Sequence, residues 1–169
     1  MRVLVIAMLV VAAPGWVSFQ SVRYDYRVSY PSGWHRAATS LTPHLSDPHE
    51  ILTVGTGPLR AGGPRCAQAP VDALEAVEAK GALVSIQERA PASADNGFAP
   101  RPTRFHLRAE RLEISACLAA TGRPRLYMIP FRDHGRHFYA LIALGRTATT
   151  QTRDDALRVL DSLRFNSTH

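Results

Sequence analysis

YMIPFRDHGRHFYALIALG, residues 127–145, places two strongly apolar runs around the densest polar cluster of the chain: Asp133, His134, Arg136 and His137. Residues 126–131 and 138–144 each read as a strand. The second is apolar at nearly every position, which is expected of a strand near the centre of a sheet with both faces covered. Residues 133–136 then form the reversal between them. Gly135 supplies the positive backbone torsion that a tight turn needs, and Asp133 can accept a hydrogen bond from the turn backbone. On this reading the arginine and histidines sit at the tip because the tip is wet. Asp133, His134, Arg136 and His137 together then offer a recognition surface, since loop tips on a rigid sheet commonly carry binding.

The same residues could instead hold a metal, with His134 and His137 as two ligands and Asp133 as a third. Strand geometry opposes this, because positions i and i+3 of a strand face opposite ways. His35, His44, His49 and His106 lie in separate segments and form no HExxH pattern. Nucleophilic catalysis has less support still. Ser85 and Ser115 lie in strand-like segments and not in a G-x-S-x-G elbow. No catalytic, cofactor-binding or metal-binding set is therefore assigned.

Working outward, residues 24–30 (YDYRVSY) alternate as a half-buried strand, Pro31-Ser32-Gly33 turns the chain, and Trp34 anchors the next segment. Residues 39–50 read as a loop and residues 51–56 (ILTVGT) as a compact apolar strand. The glycines of residues 55–66 (GTGPLRAGGPRC) lack the Gly-Lys-Ser/Thr ending of a phosphate loop, so this segment reads as irregular. Pro70 stands where a first helical position would be, and Gly81 just past the end. Between them, Val71, Leu74 and Val77 mark one apolar face. Strands are predicted at residues 82–87, 105–108 and 113–119, with a loop over 90–102. A second helix is predicted from Thr152, taken as its N-cap, to Leu163, with Ala156, Leu157, Leu160 and Leu163 as its buried stripe. Strands that follow one another through short links, with two helices, indicate an α+β single domain: one largely antiparallel β-sheet flanked by helices.

The chain has 169 residues, 46% hydrophobic and 20% charged, which is ordinary for one globular domain. Its net charge of +6 rests almost wholly on arginine, with Lys80 the single lysine. The arginines are dispersed, and the nearest thing to a stripe, Arg101, Arg104, Arg108 and Arg111, is diluted by Glu110 and Glu113. A nucleic-acid partner is therefore not expected. No stretch reaches the ~18 apolar residues of a transmembrane helix. The N-terminus, MRVLVIAMLVVAAPGWVSFQ, has one Arg, an apolar run over residues 3–13 and small residues after it, the layout of a secretory signal over residues 1–15. Cleavage after Gly15 avoids placing Pro14 at the mature end. Residues 16–22 then read as a short linker, 23–165 as the domain and 166–169 as a tail. An exported protein with two cysteines, Cys66 and Cys117, is expected to join them in a disulfide. Chain entropy values that closure at roughly 4 kcal/mol.

The runs YRVSYPSGW, LTP, ILTVGTGPL, the lone Cys66, FAPRP, DHGRHFYALIALG and ALRVLDSLRF resemble those of small actinobacterial proteins with the PsbP/Mog-like α/β/α fold, including the LpqN-type lipoproteins. The resemblance spans roughly residues 23–165. It implies a central antiparallel sheet between helices, acting by binding on the outer side of a membrane. The lipoprotein cysteine of LpqN-type relatives is absent here, and no PsbP metal set carries over. The expected function is that of a non-enzymatic, secreted or extracytoplasmic binding or accessory domain of the cell envelope. It would be monomeric and without cofactor, its partner a protein or an envelope component. The alternatives are a cytosolic protein-binding adaptor of the same fold, with residues 3–11 as an extra strand, and a metal-dependent enzyme at Asp133, His134 and His137.

Overall fold

A computed structural model describes residues 15–62, 69–91, 97–109 and 123–166. In chain order its elements are β1 (Trp16–Ser21), β2 (Tyr26–Pro31), β3 (His35–Arg36), β4 (His49–Gly55), α1 (Val71–Glu75), β5 (Ala82–Arg89), β6 (Ala99–Pro100), β7 (Arg125–Asp133), β8 (Arg136–Leu144), α2 (Thr150–Ser162) and β9 (Arg164–Phe165). They make a single α+β domain, mostly antiparallel.

The strands form two sheets where the sequence suggested one: a large sheet in the order β3-β4-β5-β8-β7-β6, and a small one in the order β1-β2-β9. β8 lies inside the large sheet, hydrogen-bonded to β5 from Ala82↔Leu144 to Arg89↔His137, and to β7 from Arg125↔Leu144 to Asp133↔Arg136. Its apolar run follows from that position. Phe138, Ala140, Ile142 and Leu144 meet one hydrophobic core, whereas Leu141 and Ala143 meet another behind the sheet. The first core is closed by Ala156, Val159, Leu160 and Leu163 and by Tyr26, Val28 and Phe165 of the small sheet. The second is closed by Leu41, Val71, Leu74 and Val77.

Several expectations need correction. Residues 16–22, expected as a linker, hold β1, paired with β2 from Trp16↔Pro31 to Ser21↔Tyr26. The strand is fixed by packing: Arg158 of α2 stacks 4.3 Å over the Trp16 ring. Residues 105–108 form no strand. Phe105 is buried, but its N–H donates to Asp161 Oδ1 at 2.8 Å, so a side chain replaces the ladder partner. The first helix is only five residues, with Pro70 at the N-cap position instead of the first turn. α2 starts before Thr152: Thr149 is the N-cap and its Oγ1 accepts the Thr152 N–H at 3.1 Å. β4 begins inside the expected 39–50 loop, at His49. Residues 1–14, Cys66, Arg111, residues 113–119 and Cys117 lie outside the described residues.

Gly145 is demanded by close approach. A Cβ on Gly145 would lie 2.1 Å from the Glu78 carbonyl oxygen and 2.4 Å from that of Ala79, where the end of β8 crosses the segment after α1.

Candidate functional site

The hairpin tip forms as the sequence predicts. His134 (φ 49°) and Gly135 (φ 75°) both adopt left-handed backbone between Asp133 and Arg136, the torsions of a two-residue type I′ turn. The predicted cluster does not form one surface. Asp133 and Arg136, a cross-strand pair, face the first core, and His137 faces the opposite way, its ring 5.2 Å edge-on from Phe98. Among the described residues no group of three metal-ligating side chains gathers.

Asp133, His134 and Arg136 each have a nearby structural partner, whereas the buried Nδ1 of His137 has no hydrogen-bond partner among the described residues. Arg101 Nη1 donates to Asp133 Oδ2 at 3.2 Å, and Arg101 Nη2 donates to the Leu160 carbonyl at 2.9 Å. This ties the end of β7 to the last turn of α2, where orphan carbonyls need donors. Burial pulls the Arg101 guanidinium below its ordinary pKa, and Asp133 opposes the shift. Asp133 thus serves Arg101 and His134, whose Nδ1 is 2.8 Å from Oδ1, where the sequence suggested the turn backbone. Arg136 makes a two-pronged pair with Glu88, Nε to Oε1 and Nη2 to Oε2, both 2.7 Å, and donates to the Tyr24 carbonyl at 3.0 Å. Its guanidinium also lies 5.1 Å from the Phe138 ring centroid and 4.8 Å from that of Phe165.

A cavity of about 570 Å³ opens elsewhere, between the small sheet and the edge of β4. β3 pairs with β4 only at Val54 and Gly55, so the start of β4 is uncovered by a strand on that side. Opposite β5, an extra residue in β4, Ile51, interrupts the register between Glu50 and Leu52. The bulge has two consequences. It turns Glu50 and Thr53, three residues apart, to the same face, where Thr53 Oγ1 donates to Glu50 Oε1 at 2.6 Å. It also presents the Ile51 carbonyl to the Tyr26 hydroxyl at 2.9 Å, bridging the two sheets.

Glu50 is buried, yet its carboxylate is saturated. Oε2 accepts the Leu41 N–H at 2.8 Å, the Thr42 N–H at 3.0 Å, the Thr42 hydroxyl at 3.1 Å and the Ser40 hydroxyl at 3.3 Å. The carboxylate thereby pins the loop that forms one wall of the cavity. The opposite wall carries Phe19, Arg23 and Tyr24, and Arg36 lies 3.7 Å over the Phe19 ring. Burial pushes the Tyr26 phenol up to about 12, although Arg36 pulls it down.

No protein-family model, curated protein or solved structure matches this chain. The cavity walls offer fixed donors, aromatic faces and a carboxylate already occupied by hydroxyl and amide donors. Sequence reasoning singled out none of Arg23, Arg36 and Glu50, which come from three separate segments. The one available signal was an acidic residue at the head of the apolar run ILTVG, and its meaning depends on a bulge that no pattern announces.

Proposed function

We propose that this chain is an exported, non-enzymatic binding domain of the cell envelope that holds its ligand in the cavity between the two sheets. The observation that carries this reading is the cavity: about 570 Å³, within the range of small-molecule clefts, with walls from two separately hydrogen-bonded sheets. The leader-like residues 1–15 support export. So does the start of β1 at Trp16, because cleavage after Gly15 would spare every described strand of the small sheet. No helix among the described residues is long and apolar enough to cross a membrane. We also read the large sheet, with α2 on one face and α1 on the other, as the core of a PsbP/Mog-like α/β/α sandwich. The Cys66–Cys117 disulfide belongs to the same proposal.

Intact-mass spectrometry of material from envelope and culture-medium fractions tests export. The expected species starts at Trp16 and resists thiol alkylation until reduced. Recovery solely from cytosol, with Met1 intact and both thiols free, would reject the export reading.

A further inference from the structure

Resting on the cavity as a binding site, we propose that its ligand is a small anion with a flat apolar body. Its carboxylate or phosphoryl end would be held by Arg36 and Arg23, and its body laid against Phe19 and Tyr24. Arg36 is half-buried, donates Nη1 to the Ala37 carbonyl at 2.9 Å and stacks on Phe19. Arg23 lies 5.1 Å over the Tyr24 ring. Among the described residues neither guanidinium meets a carboxylate.

The acidic groups that could neutralise them are committed elsewhere. Glu50 is saturated by the loop and by Thr53. Glu88 is taken by Arg136 and by His49, whose Nε2 is 3.5 Å from Oε2. Asp25 accepts from the Asn166 side chain, and Asp47 Oδ1 accepts the Ala90 N–H at 2.9 Å. Tyr26 is a neutral phenol at physiological pH and offsets nothing.

Arg36, half-buried, and Arg23, exposed, thus line the cavity with no carboxylate among the described residues in contact with either guanidinium, and an incoming anion would gain both. Arg36 is also oriented before the ligand arrives. Stacking and one backbone bond hold its plane, and the other N–H groups remain for a planar or tetrahedral oxyanion. Phe19 and Tyr24 supply apolar wall beside the cations, so a bare inorganic ion would leave much of the cavity's contact surface unused.

Isothermal titration of the full-length chain with 2-naphthoate and with its uncharged counterpart 2-naphthylmethanol tests the assignment. The naphthoate should bind at one site at least about tenfold more tightly than the alcohol, the difference a charge-assisted hydrogen bond provides. In Arg36→Gln that preference should fall to threefold or less, roughly 0.7 kcal/mol, with the alcohol's affinity unchanged. Arg23→Gln, at an exposed position with less risk to the fold, should lower it in the same direction. Equal affinities in the parent protein, or a preference that survives both substitutions, would overturn the anionic assignment while leaving the cavity as a binding site. If neither compound binds, the cavity reading falls, and the assignment with it.

Discussion

At the hairpin tip, the five consecutive residues 133–137 carry three cationic or imidazole side chains and one carboxylate, and the fold pairs off Asp133 and Arg136. Around the cavity, cations contributed by distant segments meet no carboxylate among the described residues. Asp133 answers Arg101 and His134, and Glu88 answers Arg136 through two 2.7 Å bonds. Arg36, by contrast, rests on an aromatic face and a backbone carbonyl. The contrast teaches that local density of polar residues is a poor guide to a binding site. Charges that the fold pairs off serve architecture, and charges it leaves without a partner are available to a ligand.

The largest effect expected from disturbing this contrast is on the cavity side. Glu50→Ala leaves the Leu41 and Thr42 amides and the Thr42 and Thr53 hydroxyls facing a void. A loss on the order of 4 kcal/mol in urea unfolding should follow, since several buried donors lose a charged acceptor at once. A change below about 1 kcal/mol would mean that the loop is not held by this carboxylate.

Next comes alkaline pH. The folded-state pKa of Tyr26 is raised to about 12 from an unfolded value of 10.0, so folding favours the neutral phenol. Its contribution is fully present below about pH 10 and is lost as pH rises toward 12, about 3 kcal/mol in all. Tyr26→Phe should remove that alkaline slope while costing about 1 kcal/mol near neutrality for the lost bond to Ile51. Stability curves for parent and variant that fall in parallel between pH 10 and 12 would contradict the assignment to Tyr26.

The smallest of the three lies at the tip. Arg136→Ala removes the partner of Glu88 and the donor to the Tyr24 carbonyl, in a pair whose side chains keep 17% exposure each. Residual solvent reduces the cost to about 2 kcal/mol. Naphthoate should still saturate the cavity, with at most a small loss from the freed Tyr24 carbonyl, which separates the tip from the site. A loss of binding with the fold intact would join the two regions and blur the distinction drawn between them.

How much was legible depended on whether a residue's role follows from its neighbours in sequence. β7, β8 and their turn were readable because the apolar runs and Gly135 are local signals. β8's central place followed from its lack of alternation. For residues 105–108 the pattern suggested a strand, and no ladder forms there. Phe105 and Leu107 do pack on the first core, but Asp161 receives the Phe105 amide. Thr149 and Thr152 stand three apart, each with the chemistry of a cap, and only the folded chain distinguishes the acceptor from the donor. β1 was missed because WVSFQS does not alternate cleanly: Val17 is exposed, and Trp16 and Phe19 are only half-buried. β9 is two residues long and exists only as a partner of β2. The tip cluster was visible, but its two faces were not separated, because neighbouring strand positions face opposite ways. The cavity was invisible, since it is assembled by a hairpin, a bulge and a loop whose approach no local pattern announces.

Chemical-shift mapping on isotope-labelled protein bears most directly on the claim that the cavity binds and the tip only braces. Titration with 2-naphthoate should move amide resonances of residues 19–24, 36–40 and 49–53 in a saturable way, with residues 133–137 unmoved. Shifts concentrated at His134 and its neighbours, with the residues around Arg36 silent, would contradict the account.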